Sequence, residues 1–285
     1  MAEPLIHPEA RVHAAARVDP TARIAAGAII EAAAVIGPNC VIGPRTRVRT
    51  NAVIVEHTTL GEDNDVHPGA VLGGDPQDKA FKGDPRGELI IADRNIFREH
   101  CTFNRATQNG PPTRVGSGNY FMACSHAGHN VQIADNCIFA NGAMVGGHAR
   151  IGSGVVMSGG CAIHQFTTIG DGVMFQGGAG IGMHVPPYMV VAGVNSVVTI
   201  NRVGMRRNPA LVPADRDEVK QLVRLIYKDR GGRNLAEYAA ATLESKQWGT
   251  AGTNFLRFIL AALAEQPPRN RGICPMRGRH ATLED

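Results

Sequence analysis

Four histidines in the middle of the chain give the clearest chemical signal, because their spacing could support acid–base catalysis. Histidine is suited to proton transfer since its unperturbed pKa, about 6.5, lies near neutral pH. Two of the four form a His-x-x-His motif, and a glycine and a glutamine follow the second of them at equal steps along the chain. Taken singly, each of these residues could instead have a structural role in a turn. The set consists of His126, His129, His148 and His164, with Gly147 and Gln165.

A strict period of six residues identifies the scaffold that would hold these groups. An apolar residue occupies every sixth position twelve times from Ile6 to Leu72 and twelve times from Val115 to Ile181, and three positions between these runs keep the same step. No α-helix repeats every six residues and a plain strand alternates every two, so each hexad needs a short strand, a turn and one inward side chain. The sequence therefore predicts a β-solenoid of roughly nine or ten coils, each made of three hexads.

Two interruptions of the repeat predict loops that leave the solenoid. The first, between Leu72 and Ile91, contains Gly73-Gly74-Asp75-Pro76 and Gly83-Asp84-Pro85. The second, between Phe103 and Val115, contains Asn109-Gly110-Pro111-Pro112. Loops that extend from a rigid scaffold commonly carry binding or catalytic residues, so we expect both to contribute to function.

The change in composition after the repeat predicts three regions. Residues 1–195 carry the hexads, and residues 196–265 are richer in Leu, Ala, Glu and Arg. Helical spacing of apolar residues predicts helices over 214–228, 234–246 and 253–265, the second with Asn234 as its N-cap. Residues 266–285 lack periodicity and contain four arginines, which predicts a disordered, frayed tail.

Composition is typical of a thin solenoid in a reducing compartment. Glycine makes up 34 of 285 residues and aromatic residues only 5%, as expected where many turns enclose a core too narrow for rings. Four of the six cysteines lie two residues before a position of the repeat, which predicts buried thiols and neither disulfides nor a metal site. The net charge of +4 is too diffuse to indicate nucleic-acid binding. Without a signal segment or a long unbroken apolar run, we expect a cytoplasmic protein with no membrane span.

Hexads of the form aliphatic-Gly-x-x-x-x, such as the one at Ile36-Gly37, resemble those of the hexapeptide-repeat acyltransferases. Narrower motifs resemble one branch, the UDP-N-acetylglucosamine O-acyltransferases, over about residues 1–260. The resemblance implies a mainly β fold, a left-handed parallel β-helix with a small C-terminal α-helical domain. It also implies acyl transfer in the first step of lipid A biosynthesis. The motifs are Gln77-Asp78, Arg105-Ala106-Thr107, His126-Ala127-Gly128-His129, Gly147-His148, Ala162-Ile163-His164-Gln165-Phe166, Val185-Pro186-Pro187-Tyr188 and Gly204-Met205-Arg206-Arg207.

The resemblance gives the central residues their expected catalytic roles. His129 would be the general base that takes the proton from the sugar 3-hydroxyl as it attacks a thioester, and Gly147 would donate its backbone N–H to the oxyanion. Because Gly147 follows His129 by three hexads, or one coil, we expect the two to stack side by side. Asn130 occupies the position of an orienting carboxylate, commonly Asp in this family, so we expect a weaker base.

Other residues would bind the substrates. Asp78 would hold sugar hydroxyls, and Gln165 would contact the hydroxyacyl chain or its pantetheine arm. Gly177 would govern acyl length by leaving room for a long chain. The substrate-binding residues implied are Gln77, Asp78, His126, His148, His164, Gln165, Asn201, Arg206 and Arg207.

The resemblance also implies the partners. The acyl donor would be the phosphopantetheine thioester of acyl carrier protein, the acceptor UDP-N-acetylglucosamine, and the assembly a homotrimer with active sites between subunits. We expect no cofactor, no metal and no nucleic acid. Acyl carrier protein is acidic, so basic residues late in the chain, such as Lys220 and Arg224, could steer it.

Departures from the family pattern keep other functions open. Ala80 stands where the family usually has Lys and Asn104 where it has His, so N-acylation of a UDP-3-amino-sugar analogue is an alternative. A non-catalytic trimeric scaffold would keep the repeat but would have no reason to keep His129, Gly147 and Gln165 in register. A hexapeptide-repeat carbonic anhydrase would need a zinc-binding His-x-x-x-x-His pair, which the sequence lacks.

Overall fold

The computed structural model describes residues 5–83, 87–107 and 110–276, so Asp84, Pro85 and Asn109 of the two interruptions lie outside the described residues. The strands of the described chain are short, with two to four residues each, and are separated by turns. In chain order they are β1 Arg11–Val12, β2 Arg17–Val18, β3 Arg23–Ile24, β4 Ile29–Ile30, β5 Val35–Ile36, β6 Val41–Ile42, β7 Arg47–Val48, β8 Val53–Ile54, β9 Thr58–Leu60, β10 Asp65–Val66, β11 Val71–Gly74, β12 Leu89–Ile91, β13 Ile96–Phe97, β14 Thr102–Asn104, β15 Thr113–Val115, β16 Tyr120–Phe121, β17 His126–Ala127, β18 Gln132–Ile133, β19 Ile138–Phe139, β20 Met144–Val145, β21 Arg150–Ile151, β22 Val156–Met157, β23 Ala162–Ile163, β24 Thr168–Ile169, β25 Met174–Phe175, β26 Gly180–Ile181, β27 Met189–Val191 and β28 Val197–Ile200.

Among the described residues the strands form three parallel sheets, and each sheet takes every third strand up to the last coil. Sheet I has 11 strands in the order β1-β4-β7-β10-β13-β16-β19-β22-β25-β27-β28, with β28 antiparallel to β27. Sheet II has nine, β2-β5-β8-β11-β14-β17-β20-β23-β26, and sheet III has eight, β24-β21-β18-β15-β12-β9-β6-β3. The predicted left-handed parallel β-helix is therefore confirmed.

The register of the strands shows where the two interruptions leave the helix. Arg11 pairs with Ile29, three hexads further on, as in a plain coil. Asp65 pairs with Ile96 and Ile96 with Tyr120, and both of these steps along the chain are longer than a plain coil. The first of the two steps is the longer one. Because strand pairing resumes after each excursion, the stack above and below them stays intact.

The core is a narrow column built from the side chains of the hexad positions. In sheet I these include Val66, Phe97, Phe121 and Phe139, all fully buried. The rings of Phe97 and Phe121 stack with centroids 5.0 Å apart, and Phe121 meets Phe139 edge to face at 5.1 Å. Burial of each such side chain contributes about 1.5–3 kcal/mol. The repeated column therefore supplies most of the apolar stabilisation of the three-sheeted β-helix, which we call the prism.

In the described part of the chain, four helices follow the last coil. They are α1 Arg202–Arg207, α2 Pro213–Tyr227, α3 Leu235–Glu244 and α4 Thr250–Ala264, and α4 packs against α2 and α3. The last three match the helices that the apolar spacing predicts, and Asn234 caps α3 by accepting hydrogen bonds from the backbone N–H groups of Ala236 and Glu237. Helix α1 was not predicted. In the part of the chain described, none of these helices has the length and apolarity that a bilayer crossing requires.

The segment after α4 is not a frayed tail as far as the structure describes it. Over residues 266–276 the chain returns to the prism, where Ile273 pairs with His184 and Met276 with Val197. Cys274 is fully buried. The structure differs from the prediction here because the order of these residues comes from contacts with distant parts of the chain, which leave no periodic pattern. Residues 277–285 lie outside the described part.

Candidate active site

One edge of the prism brings the predicted catalytic residues into a vertical row. Strands β17, β20 and β23 are adjacent in sheet II, so His126 pairs with Met144 and Met144 with Ala162. The turns after these strands are therefore superposed. His129, Gly147 and Gln165 hold the second position of each turn, and Asn130, His148 and Phe166 hold the third, with φ angles of 57°, 60° and 64°.

This row forms one wall of a cleft of about 620 Å³. Its lining is largely apolar and includes Met144, Ile163 and Val194. An apolar trough bordered by a few polar groups is the usual form of a small-molecule site. The cleft brings together six of the predicted residues, namely Gln77, His126, His129, Gly147, His164 and Gln165. A larger groove of about 860 Å³ lies between sheet III and α4, but none of the predicted site residues lines it.

The hydrogen bonds around His129 determine which ring nitrogen is free. Its Nδ1 lies 2.8 Å from Oδ1 of Asn130. The Asn130 amide has a fixed orientation, because its Nδ2 donates to the carbonyl of Pro111 at 2.8 Å and its Oδ1 accepts from the hydroxyl of Thr107 at 2.9 Å. Since Oδ1 can only accept, Nδ1 of His129 must donate and Nε2 keeps its lone pair. That is the tautomer that a general base requires.

Gly147 lies directly against the free nitrogen. A Cβ atom built on Gly147 would be 2.8 Å from Nε2 of His129, so a larger residue would displace the imidazole. The N–H of Gly147 donates no hydrogen bond among the described residues, and neither does the N–H of Gln165 at the same position one coil on. The winding of the chain therefore leaves this row of amides free to bind a ligand oxygen.

The two histidines that flank His129 are held neutral. Burial, reinforced by repulsion from His129 when that ring is protonated and from Arg269, lowers the pKa of His148 to about 4, and its ring stacks on Phe166 at 4.7 Å. Burial also lowers the pKa of His126, whose Nδ1 lies 2.8 Å from the hydroxyl of Thr102. At neutral pH both are hydrogen-bonding groups and not cations.

The first excursion is tied to the cleft by a buried arginine. Arg105 is 2% exposed and pairs with Glu56 at 3.0 Å and Asp75 at 2.8 Å. Asn104 donates to the backbone carbonyl of Asp75 at 2.7 Å. These contacts position Gln77 at the cleft, whereas Asp78 next to it is exposed and accepts a hydrogen bond from the N–H of Ala80.

Several predicted substrate residues do not reach the cleft of a single chain. Asn201 is 8% exposed and caps α1 by accepting a hydrogen bond from the N–H of Gly204 at 2.9 Å. Arg206 and Arg207 are exposed on α1, and Gly177 lies at an exposed corner. Their predicted roles stay predictions.

The sequence does not predict what three residues at the site contact, although two of them, Thr107 and Pro111, lie in a motif and a loop that it does identify. Thr107 and Pro111 hold Asn130, and Arg271 lies 3.1 Å from Nδ1 of His164, although the two are far apart in the chain. Contacts of this kind leave no spacing that a reader of the sequence could recognise. Within the described residues, no cluster of three or more His, Cys, Asp or Glu side chains could hold a metal ion.

Comparisons with known proteins point to one family. A family model described as Udp N-acetylglucosamine O-acyltransferase, domain 2, matches residues 184–274. The chain is 41% identical over 204 residues to the acyl-(acyl-carrier-protein)–UDP-N-acetylglucosamine O-acyltransferase of Anaeromyxobacter sp. (strain Fw109-5), which covers 71% of this chain and 78% of that protein. It is 37% identical over 215 residues to the protein of the same name from Verminephrobacter eiseniae (strain EF01-2), covering 74% of this chain and 80% of that one.

A solved structure agrees over nearly the whole length. The UDP-N-acetylglucosamine acyltransferase of Francisella novicida superposes with a TM-score of 0.81 at 28% identity and covers 98% of this chain and 99% of that one. The likeness therefore includes the helices after the prism as well as the coils. By sequence and by fold, the chain belongs to the UDP-N-acetylglucosamine O-acyltransferase family.

Proposed function

We propose that this protein transfers a (3-hydroxy)acyl chain from acyl carrier protein to the 3-hydroxyl of UDP-N-acetylglucosamine, the first step of lipid A biosynthesis. The observation that carries the proposal is the position of His129 beside Gly147, where an imidazole with a free Nε2 lies in an apolar cleft against a glycine whose backbone N–H has no partner among the described residues. The names and identities of the relatives support the same reaction.

The proposed mechanism uses His129 as base and then as acid. Its Nε2 takes the proton of the sugar hydroxyl while the hydroxyl oxygen attacks the thioester carbonyl, and Nδ1–H stays bonded to Oδ1 of Asn130. The N–H of Gly147 donates to the oxyanion of the tetrahedral intermediate. When the C–S bond breaks, the imidazolium returns the proton to the departing pantetheine sulfur. The ester and the free thiol are the two products, and no cofactor is needed.

The positive charge that forms on His129 receives only partial compensation. Asn130 orients the ring but carries no charge, whereas a carboxylate would stabilise the imidazolium. The neutrality of His126 and His148 helps, because neither adds a repelling charge beside the ring. The site therefore supports a base that works by orientation and by exclusion of like charge.

We further propose that the complete site forms in a homotrimer. In one chain the cleft is open on one side, and Asn201, Arg206 and Arg207 lie away from it. A neighbouring copy could supply them to the nucleotide and its phosphates, to which the planar fork of arginine is well matched.

Acyl carrier protein is the donor that we propose. Four cationic side chains line a groove of about 490 Å³ between β28 and α2, and an acidic protein would be attracted to them. They are Arg202, Lys220, Arg224 and Lys228. We place the reaction in the cytoplasm, a proposal supported by the six cysteines, which are all free thiols.

N-acylation of a 3-amino analogue of the sugar is the second candidate. It is favoured by the acceptor side of the cleft, where Asn104 replaces the usual His and its buried Oδ1 has no hydrogen-bond partner among the described residues. An acceptor without a partner is suited to a hydrogen-bond donor on the substrate. A primary amine has more donor hydrogens than a hydroxyl, which has one.

The test is an assay of the purified protein with acyl carrier proteins that bear chains of several lengths and with both sugar nucleotides. We expect an ester of UDP-N-acetylglucosamine, identified by mass spectrometry and cleaved by mild base. A base-stable amide as the main product would favour the amino sugar. No transfer to either acceptor would leave the scaffold as the better description.

A further inference from the structure

The segment after α4 is attached to the prism at fixed points on both sides of Arg271. The backbone N–H of His184 donates to the carbonyl of Gly272 at 2.8 Å, and the N–H of Cys274 donates to the carbonyl of His184 at 2.8 Å. The imidazole of His184, fully buried, accepts from the N–H of Thr168 through Nδ1 and so donates through Nε2 to the carbonyl of Arg269 at 2.7 Å. The backbone around Arg271 is therefore held in one place.

This attachment brings the Arg271 side chain into contact with a residue of the cleft lining, although Arg271 itself is not part of that lining. Its Nη2 lies 3.1 Å from Nδ1 of His164, a residue that lines the cleft beside Gln165. Arginine has no acceptor atom, so Nδ1 of His164 must be the acceptor. The nearby carbonyl of Gln165, 3.2 Å from the same nitrogen, consequently receives no proton from it. The remaining ring nitrogen of His164, Nε2, is then an N–H donor.

Arg271, beside His164, and Arg269, whose guanidinium lies 5.7 Å from the ring centroid of Phe166, both lack a carboxylate partner among the described residues. Within the described residues neither Arg269 nor Arg271 belongs to an ion pair, and Glu265 is paired with Arg150 at 2.6 Å. The Nη1 atom of Arg269 and the Nε atom of Arg271 are buried, and neither has a hydrogen-bond partner among the described residues. Burial of cationic groups without a counter-charge costs free energy, and an anionic ligand would offset that cost.

Both proposed substrates carry a suitable anion. The sugar nucleotide has a diphosphate, and the pantetheine arm of acyl carrier protein has a phosphodiester. Guanidinium groups bind phosphate oxygens through parallel N–H donors. The imidazole N–H of His164 is a third donor group beside the two arginines. Arg206 and Arg207, the predicted phosphate ligands, have no such contact with the cleft of one chain, whereas Arg271 reaches the lining residue His164 within the same chain.

We propose that Arg271, with Arg269 and His164, forms a phosphate-binding subsite at the end of the active-site cleft, and that the C-terminal segment exists in part to deliver it. The proposal rests on the proposed function, because it assigns the subsite to a phosphate of one of the two substrates. The return of the chain to the prism gives that segment a direct part in substrate binding.

The matched variants are Arg271→Gln and Arg114→Gln, which remove the same charge, the second from an exposed position on sheet III. Loss of a charge-assisted pair to phosphate should raise one KM by about 10-fold or more and leave kcat within threefold. Arg271→Lys should recover part of the loss, since it keeps the charge but not the fork. Thermal unfolding of all three variants checks the fold. If Arg271→Gln does not fold, Arg271→Lys and Arg269→Gln carry the test.

The two KM values identify the source of the phosphate. A rise confined to UDP-N-acetylglucosamine, with weaker binding of UDP measured by calorimetry, assigns the diphosphate. A rise confined to the acyl donor, absent when acyl-pantetheine without phosphate replaces acyl carrier protein, assigns the phosphodiester. Changes below twofold in both KM values, with a folded protein, would overturn the proposal. Binding of UDP and of inorganic pyrophosphate to the wild type can be measured without turnover. Failure of the phosphate subsite can therefore be distinguished from failure of the proposed reaction.

Discussion

The hydrogen bonds that Asn130 makes with its other neighbours determine which ring nitrogen of His129 carries the proton. The Asn130 amide is fixed at both ends, by Thr107 on its oxygen and by Pro111 on its nitrogen. Each such bond contributes about 0.5–1.5 kcal/mol, which is enough to hold one amide orientation and hence one tautomer of His129. Asparagine in place of the usual carboxylate is therefore part of a matched arrangement in this chain.

Restoring the carboxylate should not improve the enzyme. In Asn130→Asp the second carboxyl oxygen would face the carbonyl oxygen of Pro111, which lies 2.8 Å from the nitrogen it replaces. We expect the free energy of unfolding to fall by about 1–3 kcal/mol and kcat at pH 7 to rise by no more than threefold. Urea denaturation and steady-state kinetics measure the two quantities, with Asn141→Asp at an exposed corner as the control. A tenfold gain in kcat at unchanged stability would show that the matching with Pro111 is unimportant.

His148 should make the protein sensitive to acid. Burial lowers its pKa to about 4, while in the unfolded chain the pKa is near 6.5, so the unfolded chain binds more protons between these values. Stability is fully present above about pH 6.5 and is lost as the pH falls towards 4. His148→Asn suits the φ of 60° and removes this titration. We expect it to reduce the acid loss by about 1–2 kcal/mol, a value discounted because the ring is partly exposed.

The control for this experiment is His100→Asn, at an exposed corner with a φ of 58°. Denaturation curves of both variants and the wild type at pH 4, 5, 6 and 7 give the comparison. If His148→Asn loses as much stability on acidification as the wild type does, the titration belongs to another group.

At the scale of elements, the second excursion acts as a clamp on the catalytic turn. The sequence shows that the coil is broken here, because Gly110, Pro111 and Pro112 cannot continue a stacked hexad. It does not show what the loop touches, since this depends on how the extra length of chain folds back over the next coil. The contact with Asn130 is made by the backbone carbonyl of Pro111, and a backbone group cannot be recognised from the residue type. That this loop has a function stays a prediction, and the contacts through which it would act could be seen only in three dimensions.

Gly110 should be as important as the residues it supports. A Cβ on Gly110 would lie 2.6 Å from Nδ2 of Asn130, so Gly110→Ala must displace either the loop or the amide. We expect kcat to fall about 10-fold with both KM values within twofold, because Asn130 acts through His129 and not on a substrate. Gly159→Ala, whose Cβ would meet no atom closer than 3.5 Å, is the control and should retain activity. Equal kcat values for the two variants would argue against the clamp.

At the scale of the whole molecule, regularity decided what could be predicted. The hexads fix the strands, the inward side chains and the length of a coil, so the proximity of His129 and Gly147 followed from counting. The return of residues 266–276 to the prism could not be predicted, because it depends on single contacts such as that of His184 with Arg269. The structure of a repeat protein can therefore be predicted well within the stacked coils. It is predicted poorly where segments without the repeat pack against them.

The most direct test of the whole account is the turnover rate of His129→Ala with acyl carrier protein as donor and UDP-N-acetylglucosamine as acceptor. Removal of a general base that acts at one nitrogen should lower kcat by about 10²–10⁴, with KM values near those of the wild type. Circular dichroism confirms that the solenoid is intact. A kcat within a few-fold of the wild type would contradict the assignment of His129 as the base.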